Sequence, residues 1–140
     1  MDINVKKLSP RARLPKKEQS AGFCIYSMEL ITIPPNSSKI VETGIALGIP
    51  EGYYGEIKSG NTKITVFEGV IDSDYTGEIK VLILNYYKND PIIINVGDII
   101  AEITITEIYP GQSVKEQGGD VPPPMKLRKR GSNGFGSTGQ

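Results

Sequence analysis

The sequence predicts an all-β sandwich or barrel. Short stretches rich in β-branched residues recur along the chain, and apolar and polar side chains alternate strictly over residues 102–106. Apart from one short turn near residues 114–117, no stretch has the apolar pattern of a helix. Residues with strong turn preferences separate the β-branched stretches, at 34–36, 50–52, 89–91 and 96–98.

These turns divide the chain into six predicted strands, over residues 39–49, 53–57, 64–67, 78–87, 92–96 and 99–108. A chain of 140 residues is long enough for one domain, with little surplus of apolar side chains for its core. We therefore expect its stability to depend partly on oligomerisation.

The three prolines of residues 122–124 predict a change in organisation near the C-terminus. Consecutive prolines favour a stiff polyproline conformation, so residues 118–124 are expected to form an extended linker. We accordingly predict one β-barrel domain over residues 1–120 and an extended, flexible C-terminal arm over residues 121–140.

Composition excludes several chemistries. The chain has no histidine, which removes Ser-His-Asp and Cys-His catalysis and histidine metal sites. Cys24 is the only cysteine, so no disulfide forms within the chain and a reducing compartment is expected. Sixteen basic and sixteen acidic residues argue against nucleic acid as a partner, and no apolar run is long enough to span a membrane. We expect a soluble intracellular protein of the cytoplasm or nucleus.

The last residues, 131–140, carry four glycines and follow the basic run 126–130. Glycine lets the backbone bend closely around a ligand, while Arg130, Ser137 and Thr138 offer donors to phosphate oxygens. Phe135 lies between the glycines and is suited to stacking on a nucleobase. Composition alone would favour a disordered tail, but a second motif upstream changes that interpretation.

The second motif covers residues 68–78 and predicts a β-hairpin. One strand is expected to end at Ile71, and a return strand to begin at Glu78 after a tight turn. Asp72 directly follows the apolar strand, where its carboxylate is able to bind a sugar hydroxyl or orient a water molecule. Tyr75, on the same turn, is suited to packing on the face of a sugar.

Residues 69–78 and 130–139 closely resemble the third and fifth motifs of the trimeric dUTP diphosphatases, the dUTPase family. Weaker resemblances to the first, second and fourth motifs occur in the family's order, at residues 20–27, 58–60 and 97–102. The resemblance implies a jelly-roll-like β-barrel that assembles as a homotrimer. It also implies that the C-terminal arm crosses to a neighbouring subunit and closes over its site.

The resemblance further implies hydrolysis of dUTP to dUMP and pyrophosphate by attack of water on the α-phosphorus. Asp72 would orient the water and hold the deoxyribose hydroxyl. Tyr75 would pack against the sugar and exclude a 2′-hydroxyl, and the backbone from Gly69 onward would read the edge of uracil.

The C-terminal arm and residues 58–60 would bind the rest of the nucleotide. Phe135 would stack on uracil, and the triphosphate would be bound by Lys58, Ser59, Arg130, Ser137 and Thr138. Mg²⁺ is the implied cofactor, and no protein residue is assigned as its ligand because the triphosphate itself would hold it.

Four positions depart from the family motifs. Cys24 replaces an aspartate, Lys58 and Ile99 each replace an arginine, and Glu102 replaces a glutamine; the segment between Gly55 and Asp72 is also shorter. Loss of a charge pair would be tolerated if Cys24 and Ile99 faced each other.

These departures keep a second function open, a catalytically impaired dUTPase-like protein that binds nucleotide or regulatory protein partners. A dCTP deaminase and a plain β-sandwich interaction module are weaker alternatives.

Overall fold

The computed structural model describes residues 1–18, 22–60, 63–120 and 122–124. The chain forms two compact units, Met1–Pro110 and Gly111–Gln140. Described residues of the second unit are exposed and contain neither strand nor helix, so the turn predicted near residues 114–117 does not form a helical turn. No helix in the described ranges is long and apolar enough to cross a membrane.

The first unit contains every strand that the structure describes. In chain order these are Asn4–Lys7 (β1), Lys16–Lys17 (β2), Phe23–Tyr26 (β3), Ile31–Ile33 (β4), Ser37–Glu42 (β5), Ile45–Gly48 (β6), Tyr53–Lys58 (β7), Thr65–Val66 (β8), Gly69–Ile71 (β9), Lys80–Asn85 (β10), Ile92–Ile94 (β11) and Ile99–Glu107 (β12).

The strands form four antiparallel sheets. The largest has the order β2-β3-β12-β7-β9, and the second has the order β5-β10-β8. Two smaller sheets pair β1 with β6 and β11 with β4. The all-β prediction is therefore confirmed.

Isoleucine dominates the core, because a β-branched side chain packs well on a pleated sheet. Alternation along β12 directs Ile103 inward, as the sequence predicted, while Thr104 remains partly exposed on the opposite face. Ile83, in the centre of β10, is completely buried between β5 and β8. The other isoleucines that are less than 2% exposed are Ile25, Ile33, Ile45, Ile79, Ile94 and Ile100.

One strand prediction needs correction, and four short strands were not predicted. The strand predicted over residues 39–49 is divided into β5 and β6, because Gly44 adopts a left-handed conformation with φ of 74°. Strands β1 to β4 were not predicted at all. They are two to four residues long, and β1 and β2 consist mainly of polar and charged residues, so they lack the apolar alternation that identifies longer strands.

The predicted hairpin is also wrong. Strand β9 pairs with β7 in the five-stranded sheet, whereas β10 pairs with β5 and β8 in the three-stranded sheet. Residues 72–79, which we call the β9–β10 connection, are too many for a tight hairpin loop. A local turn lies within it, where the Tyr75 N–H donates to the Asp72 carbonyl oxygen at 3.1 Å.

We predict that Ile83→Ala lowers the free energy of unfolding by about 2–5 kcal/mol, because it leaves a cavity in the core. Urea denaturation at fixed protein concentration measures the change. Ile93→Ala is the matched control: Ile93 is an isoleucine of strand β11 that is 60% exposed, so we expect less than about 1 kcal/mol. Equal effects of the two substitutions would contradict the packing described here.

Candidate active site

A cavity of about 350 Å³ opens where the β9–β10 connection leaves the five-stranded sheet. Gly69, Asp72 and Tyr75, which the sequence assigned to nucleoside binding and catalysis, all line it. Glu78, Lys80 and several apolar side chains, among them Leu82, complete its walls. The structure therefore brings the three nucleoside-side residues together although β9 and β10 do not pair.

Tyr75 is held by its own connection. Its hydroxyl donates a hydrogen bond to the Glu78 carbonyl oxygen at 2.6 Å. The ring lies against Gly77, where a Cβ atom built on the glycine would be 2.8 Å from the Tyr75 hydroxyl oxygen. Asp72 is exposed at the start of the connection, and so its carboxylate is accessible to a ligand or to water.

The weaker motifs converge on one face of the five-stranded sheet. Glu102 on β12 lies directly opposite Lys58 on β7, and also directly opposite Cys24 on β3. Lys16 on β2 is in turn opposite Cys24. Side chains of directly opposed residues point to the same face, so Lys16, Cys24, Glu102 and Lys58 form a lateral row. We call it the four-strand row.

The row shows that the expected pairing of Cys24 with Ile99 is wrong. Ile99 lies opposite Tyr26, because a β-bulge between Ile99 and Ala101 shifts the register of β12 against β3. Cys24 instead faces Glu102.

Lys58, a member of the four-strand row, is the last residue of β7, and Ser59 follows it. The Lys58 ammonium is 3.6 Å from a carboxylate oxygen of Glu56, with both side chains about two-fifths exposed, so this ion pair contributes little stability. The Ser59 hydroxyl donates to the Ile64 carbonyl oxygen at 2.6 Å. To accept a hydrogen bond from the Ser59 hydroxyl, a phosphate oxygen must displace the Ile64 carbonyl oxygen.

Cys24 is a buried thiol. Burial raises its pKa, and the nearby carboxylates of Glu18 and Glu102 raise that pKa further. The thiol therefore stays neutral at physiological pH. Glu18 also accepts a hydrogen bond from the Tyr26 hydroxyl at 2.8 Å, and burial together with this bond raises the pKa of Tyr26 to about 12.

Arg130, Phe135, Ser137 and Thr138 lie outside the described residues. A larger cavity, of about 500 Å³, lies between the N-terminal residues and β3 and β12. Most of its lining side chains are apolar, and it contains none of the predicted site residues, so we assign the smaller cavity as the candidate site.

Sequence reasoning missed one contact of the site. A carboxylate oxygen of Glu78 accepts the backbone N–H of Gly44 at 2.8 Å. The two residues are far apart in sequence, and no local pattern predicts that they meet.

Residues 11–139 match the family model described as dUTPase. The chain belongs to the dUTPase family. Its relatives include the probable deoxyuridine 5′-triphosphate nucleotidohydrolase of Schizosaccharomyces pombe, which is 37% identical over 99% of both chains. The deoxyuridine 5′-triphosphate nucleotidohydrolase of fowlpox virus is 40% identical over 99% of this chain and 97% of its own.

Solved dUTPase structures have the same fold. That of a mutant dUTPase from phage phi11 of S. aureus, with a structural Mg(II) ion, superposes with a TM-score of 0.73 at 25% identity, covering 85% of this chain and 98% of its own. A mutant dUTPase of Staphylococcus bacteriophage 80alpha with dUpNHpp gives 0.70 at 26% identity, covering 99% of both chains. The predicted jelly-roll-like dUTPase fold is confirmed.

We predict that Cys24 of this dUTPase-family chain reacts with iodoacetamide at pH 8.5 at least about tenfold more slowly when folded than in urea, because the thiolate is the nucleophile. Mass spectrometry measures the alkylated fraction over time. Glu102→Gln should accelerate the folded reaction, since it removes one charge that raises the thiol pKa, while burial still slows it. Equal alkylation rates in the folded and unfolded chains would contradict the burial of the Cys24 thiol.

Proposed function

We propose that the chain is a dUTP diphosphatase, which hydrolyses dUTP to dUMP and pyrophosphate. The observation that carries the proposal is the 350 Å³ cavity, where Gly69, Asp72 and Tyr75 meet. Membership of the dUTPase family and the relatives named as deoxyuridine 5′-triphosphate nucleotidohydrolases support the same reaction.

The nucleoside occupies the cavity in this proposal. A Cβ atom built on Gly69 would have no described atom within 4 Å, so a flat base has room to approach the backbone of β9 and form hydrogen bonds with it. Tyr75 packs on the deoxyribose, and a 2′-hydroxyl is excluded by its ring.

Asp72 acts on the water and on the deoxyribose hydroxyl. Its carboxylate accepts a hydrogen bond from the water and orients the oxygen toward the α-phosphorus. The water oxygen forms a bond to that phosphorus, the Asp72 carboxylate accepts the proton that the water loses, and the bond from the α-phosphorus to the oxygen bridging to the β-phosphate breaks. Pyrophosphate leaves, and dUMP retains the new oxygen.

The phosphates are bound by Lys58 and Ser59 together with Arg130, Ser137 and Thr138 of the arm. Phe135 stacks on uracil when the arm closes. A closed site excludes water and strengthens each charge-assisted hydrogen bond to the triphosphate. Glu102 adds a negative charge beside Lys58, which lies opposite it in the four-strand row and offsets that charge.

Mg²⁺ neutralises part of the triphosphate charge when it is bound. Within the described residues, no group of three or more histidine, cysteine, aspartate or glutamate side chains is arranged to hold a metal ion. One of the two carboxylates at the cavity, that of Glu78, already accepts the Gly44 N–H. This donor set fits an ion held mainly by phosphate oxygens and water, which is how Mg²⁺ usually binds beside nucleotides.

The proposed assembly is a homotrimer in which the arm of one subunit reaches the site of another. Exposed apolar side chains beside the cavity support it. Phe67 and Val70 line the cavity and are 64% and 63% exposed, and Ile40, also exposed, lies opposite Leu82 of the cavity wall. A neighbouring subunit would remove this apolar surface from water.

A catalytically impaired protein is not favoured, because the relatives at 34–40% identity carry the names of hydrolases. The dUTPase of bacteriophage 80alpha is described as controlling transfer of virulence genes. Regulatory protein partners remain a prediction for this chain.

We predict that Asp72→Asn lowers pyrophosphate release from dUTP with Mg²⁺ by at least about 100-fold, because the amide accepts a proton from water poorly. The variant should still bind a non-hydrolysable dUTP analogue, which calorimetry measures.

Asp74→Asn is the matched control, since Asp74 is exposed on the same connection and does not line the cavity. It should keep near-normal activity. Absence of pyrophosphate release from the unmodified protein, or an equal loss in both variants, would contradict the proposed role of Asp72.

We also predict that Phe135→Ala weakens binding of the dUTP analogue about tenfold or more, because an aromatic ring stacked on a base contributes about 1–3 kcal/mol. Phe135→Tyr keeps the ring and should bind like the unmodified chain. Unchanged affinity in the alanine variant would show that the arm does not stack on the base.

A further inference from the structure

Four hydrogen bonds connect the end of the β9–β10 connection to the turn between β5 and β6. The Ile79 carbonyl oxygen accepts both the Thr43 N–H, at 3.3 Å, and the Thr43 hydroxyl, at 2.6 Å. The Ile79 N–H donates to the Ile45 carbonyl oxygen at 2.8 Å. The fourth bond comes from a side chain: the Glu78 carboxylate accepts the Gly44 N–H at 2.8 Å.

Gly44 is a rigid donor for this bond. Its φ of 74° is accessible mainly to glycine, and a Cβ atom built on it would lie 2.8 Å from both the Ala12 Cβ and the Met28 sulfur. The Gly44 carbonyl oxygen accepts the Leu8 N–H at 2.7 Å. Because N-terminal residues pack against the turn on this side, the direction of the Gly44 N–H is fixed.

Glu78 also contacts the nucleoside site through its backbone. Its carbonyl oxygen accepts the hydroxyl of Tyr75, and the Tyr75 N–H donates to the carbonyl oxygen of Asp72. The carboxylate of Glu78 thus holds the turn at Gly44, while its carbonyl oxygen holds the tyrosine ring. A charge-assisted bond to a backbone N–H is stronger than a neutral one, which suits the carboxylate to this task.

We infer that Glu78 is a positioning residue, whose bond to Gly44 fixes the Tyr75 ring and thereby sets how strictly the site selects deoxyribose over ribose. The inference rests on the proposed function, in which Tyr75 excludes the 2′-hydroxyl. Tyr75 is 44% exposed, so packing around the ring restrains it less than a core side chain. Its hydroxyl bond to Glu78 and its contact with Gly77 are therefore decisive for its position.

Two variants of Glu78 distinguish the effect of losing the bond to Gly44 from the effect of losing the negative charge. Glu78→Gln keeps an amide oxygen that is able to accept the Gly44 N–H but removes the negative charge. Glu78→Ala removes both. Glu68→Ala removes an exposed glutamate next to β9 that is outside the cavity lining, and it controls for the loss of one charge.

The experiment compares kcat/KM for dUTP and UTP in the unmodified chain and the three variants. The affinities for non-hydrolysable dUTP and UTP analogues and the thermal midpoint are measured in parallel. We expect Glu78→Ala to lower the dUTP preference at least about tenfold, whereas Glu78→Gln and Glu68→Ala stay within about threefold of the unmodified chain.

A preference that is unchanged in Glu78→Ala, or lowered equally in Glu78→Gln, would overturn the inference. A lowered thermal midpoint with an unchanged preference would show a purely structural role, which also overturns it. If the unmodified chain releases no pyrophosphate from dUTP, the proposed function fails by itself, whatever the variants show. The analogue affinities then still decide whether Glu78 controls sugar selection.

Discussion

The proposed nucleoside site depends on one constraint: the β9–β10 connection leaves one sheet and enters another. A connection of this kind cannot satisfy its backbone groups by hairpin pairing, so other partners must be present. The backbone N–H and carbonyl groups of Ile79, which is fully buried, form hydrogen bonds with Ile45 and Thr43, respectively. Because these bonds hold the connection between two sheets, a cavity remains at Asp72 and Tyr75. A tightly paired hairpin would leave no such space.

The proposed phosphate site depends on strand register. Ile25, Ile57 and Ile103 are buried on the inner face of β3, β7 and β12, so alternation directs Cys24, Lys58 and Glu102 to the outer face. A shift of one residue would exchange the two faces and bury the charged side chains in the core. Hydrophobic packing on the inner face therefore determines which polar groups meet on the outer one.

Sequence alone was sufficient for whatever depends on local pattern. The alternation of β12 identified its buried face, and Gly69, Asp72 and Tyr75 are close enough in the chain to reach one cavity. Sequence alone was insufficient where two interacting residues are distant in the chain. Periodicity marks a strand but does not say which strand pairs with it, so the hairpin was assigned wrongly and the bond between Gly44 and Glu78 was not foreseen. The bulge after Ile99 likewise has no local signal.

The register also explains how two departures from the family motifs coexist. Where the motifs that resemble residues 20–27 and 97–102 have an aspartate and a glutamine, this chain has Cys24 and Glu102, which lie directly opposite each other. One negative charge is lost from β3 and one is gained on the adjacent strand β12, and burial keeps the Cys24 thiol neutral by raising its pKa. The pair therefore carries a single negative charge in either arrangement. Lys58 and Lys16 flank it at the two ends of the four-strand row, so the charge is displaced by about one strand spacing, roughly 5 Å, rather than removed.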